Sequence, residues 1–65
     1  METITIKRTQ KGVWLKKFDD YETSFTKISK KEALEDIKNA RETKKIFADD
    51  NENKENEILI FGYEN

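Results

Sequence analysis

Oxygen-bearing side chains alternate along one polar segment, where Asp49, Asn51 and Asn53 occupy every second position. In calcium loops of the EF-hand type, such ligands come with a glycine at the sixth position and a glutamate at the twelfth. Counted from Asp49, the sixth residue is Lys54 and the twelfth is Ile60. The segment therefore fails as a calcium loop, and we predict a charged connector without a metal site.

The same segment is acidic, since residues 48–57 carry five acidic side chains and one lysine. A local acidic patch of this kind can occupy a basic pocket on another protein. We therefore include Asp49, Asp50 and Glu52 among the predicted partner-binding residues.

Few side chains in this sequence are suited to catalysis. The sequence contains no cysteine and no histidine, which removes the common nucleophile–base pairs and the usual general base near neutral pH. It has no glycine-rich phosphate loop. The adjacent carboxylates of Asp19 and Asp20 lie in a predicted turn, where an acid/base pair would not be shielded from water. We predict a protein that is not an enzyme and that uses no cofactor.

Two strands are predicted near the N-terminus from the alternation of apolar and polar residues in Thr3–Lys7 and Gly12–Phe18. A four-residue loop between them, Thr9–Gly12, would place Ile6 opposite Leu15 and gather the aliphatic side chains on one face. A shift of one residue would exchange the faces, so the hydrophobic pattern favours this loop length. The other face of the hairpin would then carry Lys7, Trp14, Lys16 and Phe18.

The rest of the chain is predicted to add one helix and one or two strands. Tyr21–Ile28 is a candidate third strand. Ser29 and Glu32 have the spacing of a capping box, which predicts a helix from about residue 30 to about residue 47. The segment Glu57–Tyr63 is predicted as a last strand that neighbours the first. This strand would run parallel to the first if the third strand forms, and antiparallel to it otherwise.

The predicted fold class is α+β, with a small, mostly antiparallel sheet of three to four strands and one helix packed on one face. One helix can cover only one side of such a sheet, so we predict an exposed aromatic face on the other side. Lysine stems could cover this face as a second small core, or it could bind a protein or single-stranded nucleic acid. Its predicted partner-binding residues are Lys7, Trp14, Lys16, Phe18, Phe61 and Tyr63.

Size and composition favour a protein that completes its burial by association. The 65 residues are predicted to form one domain, with 34% hydrophobic and 42% charged residues and no disulfide to compensate for a small core. Residues 1–31 carry a net charge of +4 and residues 32–65 a net charge of −5, which is compatible with head-to-tail pairing. A homodimer is therefore one expected form.

No apolar run approaches the length of a membrane span and no signal peptide is recognisable, so we expect a cytoplasmic protein without membrane contact. Stand-alone domains of this size and composition are frequent among phage and mobile-element genes, and some of them block host enzymes or defence complexes. The sequence-based hypothesis is a small interaction protein that binds another protein as an inhibitor or regulator. The alternative is a regulator that binds nucleic acid through lysines and aromatic side chains.

Overall fold

The computed structural model describes residues 2–49 and 59–65, and within these ranges the chain forms five strands and one helix. The elements are β1 (Thr3–Arg8), β2 (Trp14–Phe18), β3 (Thr26–Ile28), α1 (Lys30–Thr43), β4 (Lys45–Asp49) and β5 (Leu59–Glu64). The strands make one sheet in the order β3-β2-β1-β5-β4, and every neighbouring pair is antiparallel. The predicted α+β class is confirmed.

The loop between β1 and β2 is one residue longer than predicted. Arg8 pairs with Trp14, so the loop comprises residues 9–13. Thr9 closes it at both ends: its N–H donates to the carbonyl of Val13 (2.9 Å), and the N–H of Val13 donates to its hydroxyl (3.2 Å). Gly12 supplies the positive φ of +82° that the loop needs before the strand begins. This register places the side chains of β2 on the faces opposite to those predicted.

The helix begins where predicted and ends four residues earlier than predicted. It stops at Thr43, Lys44 is extended, and Lys45–Asp49 forms β4 instead of a last helical turn. Pairing of Ile46 with Tyr63 gives β5 a second neighbour. Strands that are apolar on both faces are favoured at the centre of a sheet. A second neighbour for β5 therefore stabilises the fold more than one further helical turn would.

The additional strand also sets the direction of the last one. Thr26–Ile28, within the candidate third strand, pairs with β2, which would have made the last strand parallel to β1 had the helix led directly into it. Because β4 intervenes, β5 runs antiparallel to β1, with Ile6 opposite Phe61. The prediction that the last strand neighbours the first is confirmed. Of the two directions that the sequence left open, the antiparallel one is observed, although the third strand, which was expected to make it parallel, also forms.

The core lies between α1 and one face of the sheet. The helix contributes Ala33, Ile37 and Ala40, and the two alanines allow the helix backbone to approach the large sheet residues beneath it. Phe61 and Ile6 have no exposed surface at the centre of this layer. Burial of such a side chain contributes about 1.5–3 kcal/mol. The other buried sheet residues are Ile4, Trp14, Leu59 and Tyr63.

The helix start is capped by the side chain of Ser29. The backbone N–H of Glu32 donates to the hydroxyl oxygen of Ser29 over 3.1 Å, so the predicted N-cap is confirmed. Replacement of Ser29 by alanine is expected to lower the free energy of unfolding by about 1 kcal/mol, because one amide of the first turn loses its acceptor. Urea denaturation followed by circular dichroism measures this change.

The matched control is Ser24→Ala, at an exposed position outside the helix and the strands. Its effect is expected to stay within about 0.5 kcal/mol. Equal losses in the two variants would contradict the capping role of Ser29.

Candidate interaction surface

The sheet face that the helix does not cover, here called the helix-free face, carries a row of four side chains from four adjacent strands. Lys7 of β1 pairs with Ile60 of β5 on one side and with Leu15 of β2 on the other, and Leu15 pairs with Lys27 of β3. Neighbouring strands lie about 4.8 Å apart, so cationic and apolar groups alternate at that spacing across the sheet.

Phe25 lies beside this row and is held by two cations. The ammonium group of Lys7 lies 5.7 Å from the centre of the Phe25 ring, and that of Lys17 lies 5.2 Å from it. Both distances are within the range of cation–π attraction. The two lysines are therefore gathered around one aromatic side chain, which concentrates positive charge on the β1–β2–β3 part of the helix-free face.

The β4–β5 part of the helix-free face is apolar. One extra residue in β4, Phe47, bulges between the pairs that Ile46 and Ala48 make with β5, and its ring lies on Gly62. A Cβ atom at Gly62 would come within 2.5 Å of the ring atom Cζ, so the contact requires glycine. Phe47 remains 52% exposed and Ile60 38% exposed. Two large apolar side chains therefore lie open beside the lysines.

Carboxylates limit the positive charge of this face. Asp19 accepts a hydrogen bond from the Thr5 hydroxyl (2.8 Å), and its other oxygen lies 3.7 Å from the ammonium group of Lys17. At the far edge, Lys45 and Glu64 approach to 3.9 Å. Lys7 and Lys27 have no carboxylate within ion-pair distance among residues 2–49 and 59–65, so they carry the uncompensated charge.

The observed pairing of β2 and β5 with β1 overturns the predicted aromatic face. Trp14, Phe61 and Tyr63 are buried beneath the helix, with 5%, 0% and 6% of their surface exposed. Phe18 packs half-buried against the same core. Of the predicted lysines and aromatic residues on this sheet, Lys7 alone lies on the helix-free face, and partner binding by it stays a prediction.

Lys16, also predicted to bind a partner, instead ties the sheet to the helix. Its ammonium group lies 2.6 Å from Asp36 of α1 and 5.1 Å from the centre of the Phe18 ring. Burial lowers the pKa of Lys16, but the hydrogen bond that Lys16 donates to Asp36 and the nearby negative charge outweigh burial, so this pKa lies above its ordinary value. Burial raises the pKa of Tyr63 as well.

The predicted acidic patch is represented by one residue in the described chain. Asp49 accepts from the same guanidinium nitrogen of Arg41 with both carboxylate oxygens, each at 3.1 Å. Arg41 also lies over the Phe61 ring, 5.5 Å from its centre. Asp50 and Glu52 lie outside the described residues. Asp49 thus joins β4 to the end of the helix, and its predicted role toward a partner stays a prediction.

The residues missed by the sequence analysis are Leu15, Lys17, Phe25, Lys27, Phe47 and Ile60. A usable signal was present for two of them, because Leu15 and Lys17 have the period of two that places side chains on one strand face. Phe47 lies at the end of the helix predicted from about residue 30 to about residue 47, where its spacing also fits an apolar helical stripe. Only the strand β4 and its bulge bring this ring onto the sheet.

Comparison with protein-family models, curated proteins and solved structures gave no match to this chain. Within the described ranges, no helix is long and apolar enough to span a membrane. The same residues contain no cluster of three or more acidic side chains placed to hold a metal ion.

The Phe47–Gly62 contact is expected to appear as coupling in a double-mutant cycle. Phe47→Ala should destabilise the wild-type protein by about 1 kcal/mol, since an exposed ring loses its packing on the sheet. In the Gly62→Ala variant the Phe47 ring is already displaced, so Phe47→Ala should change the free energy of unfolding of that variant very little. Chemical denaturation of the four proteins measures the coupling. Additive effects would contradict direct packing of the ring on Gly62.

Stability is expected to fall above about pH 10, the ordinary pKa range of lysine and tyrosine. Lys16 and Tyr63 both have raised pKa values in the folded protein, so each group binds its proton more tightly in the folded state than in the unfolded state. The contribution of each group to the free energy of unfolding is complete below its pKa in the unfolded state. This contribution is lost as the pH rises through its pKa in the folded state. Tyr63→Phe should flatten the decline in the free energy of unfolding between pH 9 and 11.5, as assayed with urea. An unchanged slope would contradict the assignment to Tyr63.

Proposed function

We propose that the protein is a non-enzymatic interaction protein that binds an acidic, partly apolar surface of another protein through the helix-free face. The observation that carries the proposal is the row Ile60, Lys7, Leu15 and Lys27, in which apolar and cationic groups alternate across four strands. The exposed ring of Phe47 adjoins this row. A partner needs apolar groups and carboxylates at a matching spacing.

The apolar side chains contribute to the affinity for a partner, whereas the lysines contribute to the encounter rate and the selectivity. Phe47 and Ile60 are large apolar side chains that lose water contact when a partner covers them, which contributes about 25 cal/mol for each Å² of apolar surface buried. Lys7 and Lys27 increase the encounter rate with an acidic partner and select against basic surfaces. Rigidity of the sheet reduces the conformational entropy lost on binding.

A regulator that binds single-stranded nucleic acid is the second candidate, because Lys7, Lys17 and Lys27 lie on the same sheet face as Phe25 and Phe47. Two features make it the weaker one. Base stacking needs an open ring face, whereas the Phe25 ring is approached by the ammonium groups of Lys7 and Lys17. The carboxylate of Asp19 also lies close to Lys17, where it would repel a phosphate.

The proposed setting is the cytoplasm, where a phage or mobile-element protein of this size would meet a host enzyme or defence complex. The support for this setting is the absence of cysteine and the highly charged composition. A protein of this kind would act by covering a site on its target, which agrees with a preformed binding face and needs no catalytic group.

The test compares a variant with two reversed charges on the helix-free face and a variant with one reversed charge outside it. Lys7→Glu/Lys27→Glu reverses both uncompensated lysines of the helix-free face, and Lys11→Glu reverses an exposed lysine in the β1–β2 loop. A partner captured from host lysate and identified by mass spectrometry is then titrated with each purified protein. The double variant is expected to bind at least about 100-fold more weakly, at about 1.4 kcal/mol for each tenfold step. Lys11→Glu should bind like the wild type.

Phe47→Ala tests the apolar contribution to partner affinity separately from the contribution of the lysines. This variant is expected to bind the partner more weakly, with little change in the salt dependence of binding. Equal binding by the wild type and the double variant would exclude the helix-free face. Retention of a single-stranded oligonucleotide in place of a protein, with affinity falling steeply with salt, would replace the proposal with its alternative. A molar mass of two chains that reverts to one in the Phe47→Ala variant would identify a second copy as the partner.

A further inference from the structure

The row of side chains on the helix-free face has a spacing that restricts the secondary structure of a partner segment. Its members come from four successive strands, in the order Ile60, Lys7, Leu15 and Lys27. At about 4.8 Å between neighbouring strands, the row is about 14 Å long. The twist of a sheet rotates the strands about this line without bending the line itself, so a straight segment can follow the row across the strands.

An α-helix matches this spacing better than a β-strand does. Side chains on one stripe of a helix recur at about 5.4 Å, the advance of one turn. Side chains on one face of a strand recur at about 6.7 Å. Over the three intervals of the row, a helix departs from the side-chain positions by about 2 Å and a strand by about 6 Å. The flexible stems of Lys7 and Lys27 can accommodate the smaller departure.

The alternation of charge along the row determines the sequence pattern of such a helix. Ile60 and Leu15 require apolar residues opposite them, because a polar group buried there would lose its water contacts. Lys7 and Lys27 form no ion pair among residues 2–49 and 59–65. The contact of Lys7 with the Phe25 ring leaves donors for a carboxylate, since an ammonium group has three. The matching helix carries apolar residues at positions i and i+7 and acidic residues at i+4 and i+11.

The two ends of the row fix the direction of the helix. Lys27 lies at one end, and the C-terminal end of a helix carries partial negative charge, so this end is favoured beside the lysine. At the other end, Ile60 and Phe47 are exposed apolar side chains. The N-terminal turn therefore lies on Phe47 and Ile60, and the C-terminal turn lies beside Lys27.

A second copy of the chain fits the row less well than an acidic helix. Two-fold stacking of two helix-free faces about the middle of the row would reverse one row against the other. Lys7 would then face Leu15 of the second copy, and Lys27 would face Ile60. Each ammonium group would be covered by an apolar side chain and left without a carboxylate, which is unfavourable. Charge complementarity therefore favours an acidic partner.

We propose that the partner segment is an acidic amphipathic α-helix that lies across the strands of the helix-free face, a step that rests on the proposed function of that face. Apolar contacts with Phe47, Ile60 and Leu15 contribute the affinity. The two lysine–carboxylate pairs fix the register, because a shift by one turn would place each carboxylate opposite an apolar side chain.

Two synthetic peptides of sixteen residues and identical composition test the helix. Both have a background of alanine and glutamine, which favours helix formation. The first has leucine at its third and tenth positions and glutamate at its seventh and fourteenth. The second has both glutamates moved to the opposite side of the helix, at its fifth and twelfth positions. Titration into the full-length protein, followed by amide chemical shifts, is expected to show at least about tenfold tighter binding of the first peptide. Circular dichroism should show a gain of helix on binding.

Exchange of charge between protein and peptide identifies the pairs. Lys7→Glu/Lys27→Glu should weaken binding of the first peptide at least about tenfold. A peptide with lysine in place of both glutamates should restore the affinity for this variant, since the pairs are then reversed. Lys11→Glu/Lys31→Glu makes the same total charge change at exposed positions outside the helix-free face, and it should bind the first peptide like the wild type.

Equal binding of the two peptides, binding without a gain of helix, or no restoration by the lysine peptide would overturn the helix assignment. If the partner captured from lysate is nevertheless lost in Lys7→Glu/Lys27→Glu, the proposed function of the face stands and only its helical partner is excluded. If neither the captured partner nor the first peptide responds to that variant, the proposed function fails together with the helix assignment.

Discussion

The hydrogen bonds that Thr9 makes with Val13 set the register on which the rest of the structure depends. They close a five-residue loop and so bring Trp14 opposite Arg8. With this register Trp14 faces the helix, while Leu15 and Lys17 face away from it. A loop shorter by one residue would expose the indole and bury a lysine. These two hydrogen bonds thereby separate a covered aromatic layer from a cationic face.

Two ion pairs complement the apolar layer by joining the helix to separated strands. Lys16 reaches Asp36 from β2, and Arg41 reaches Asp49 in β4. The first pair is the more protected of the two, and the second is half exposed and contributes less. Together they fasten the helix across the width of the sheet, which assists a core that contains few large side chains.

Sequence patterns predict those elements of this fold whose residues fit only one kind of secondary structure. Ser29 marks the helix start because a cap at that position has a short-range cause. The helix end could not be predicted, since Ile46 and Phe47 fit a helical stripe as well as a strand, and pairing with β5 decides between them. The candidate surface was largely missed for the same reason: Lys7 was placed correctly, whereas the register and the β4 bulge involve contacts distant in sequence.

The two outer strands of the described sheet give little opportunity for further strands to attach. β3 has three residues, and β4 is interrupted by the bulge at Phe47. Short or bulged edges present few backbone groups in the straight array that another strand would need. Growth of the described sheet by edge pairing is thus disfavoured, and stacking of two helix-free faces would give an assembly that closes after two copies.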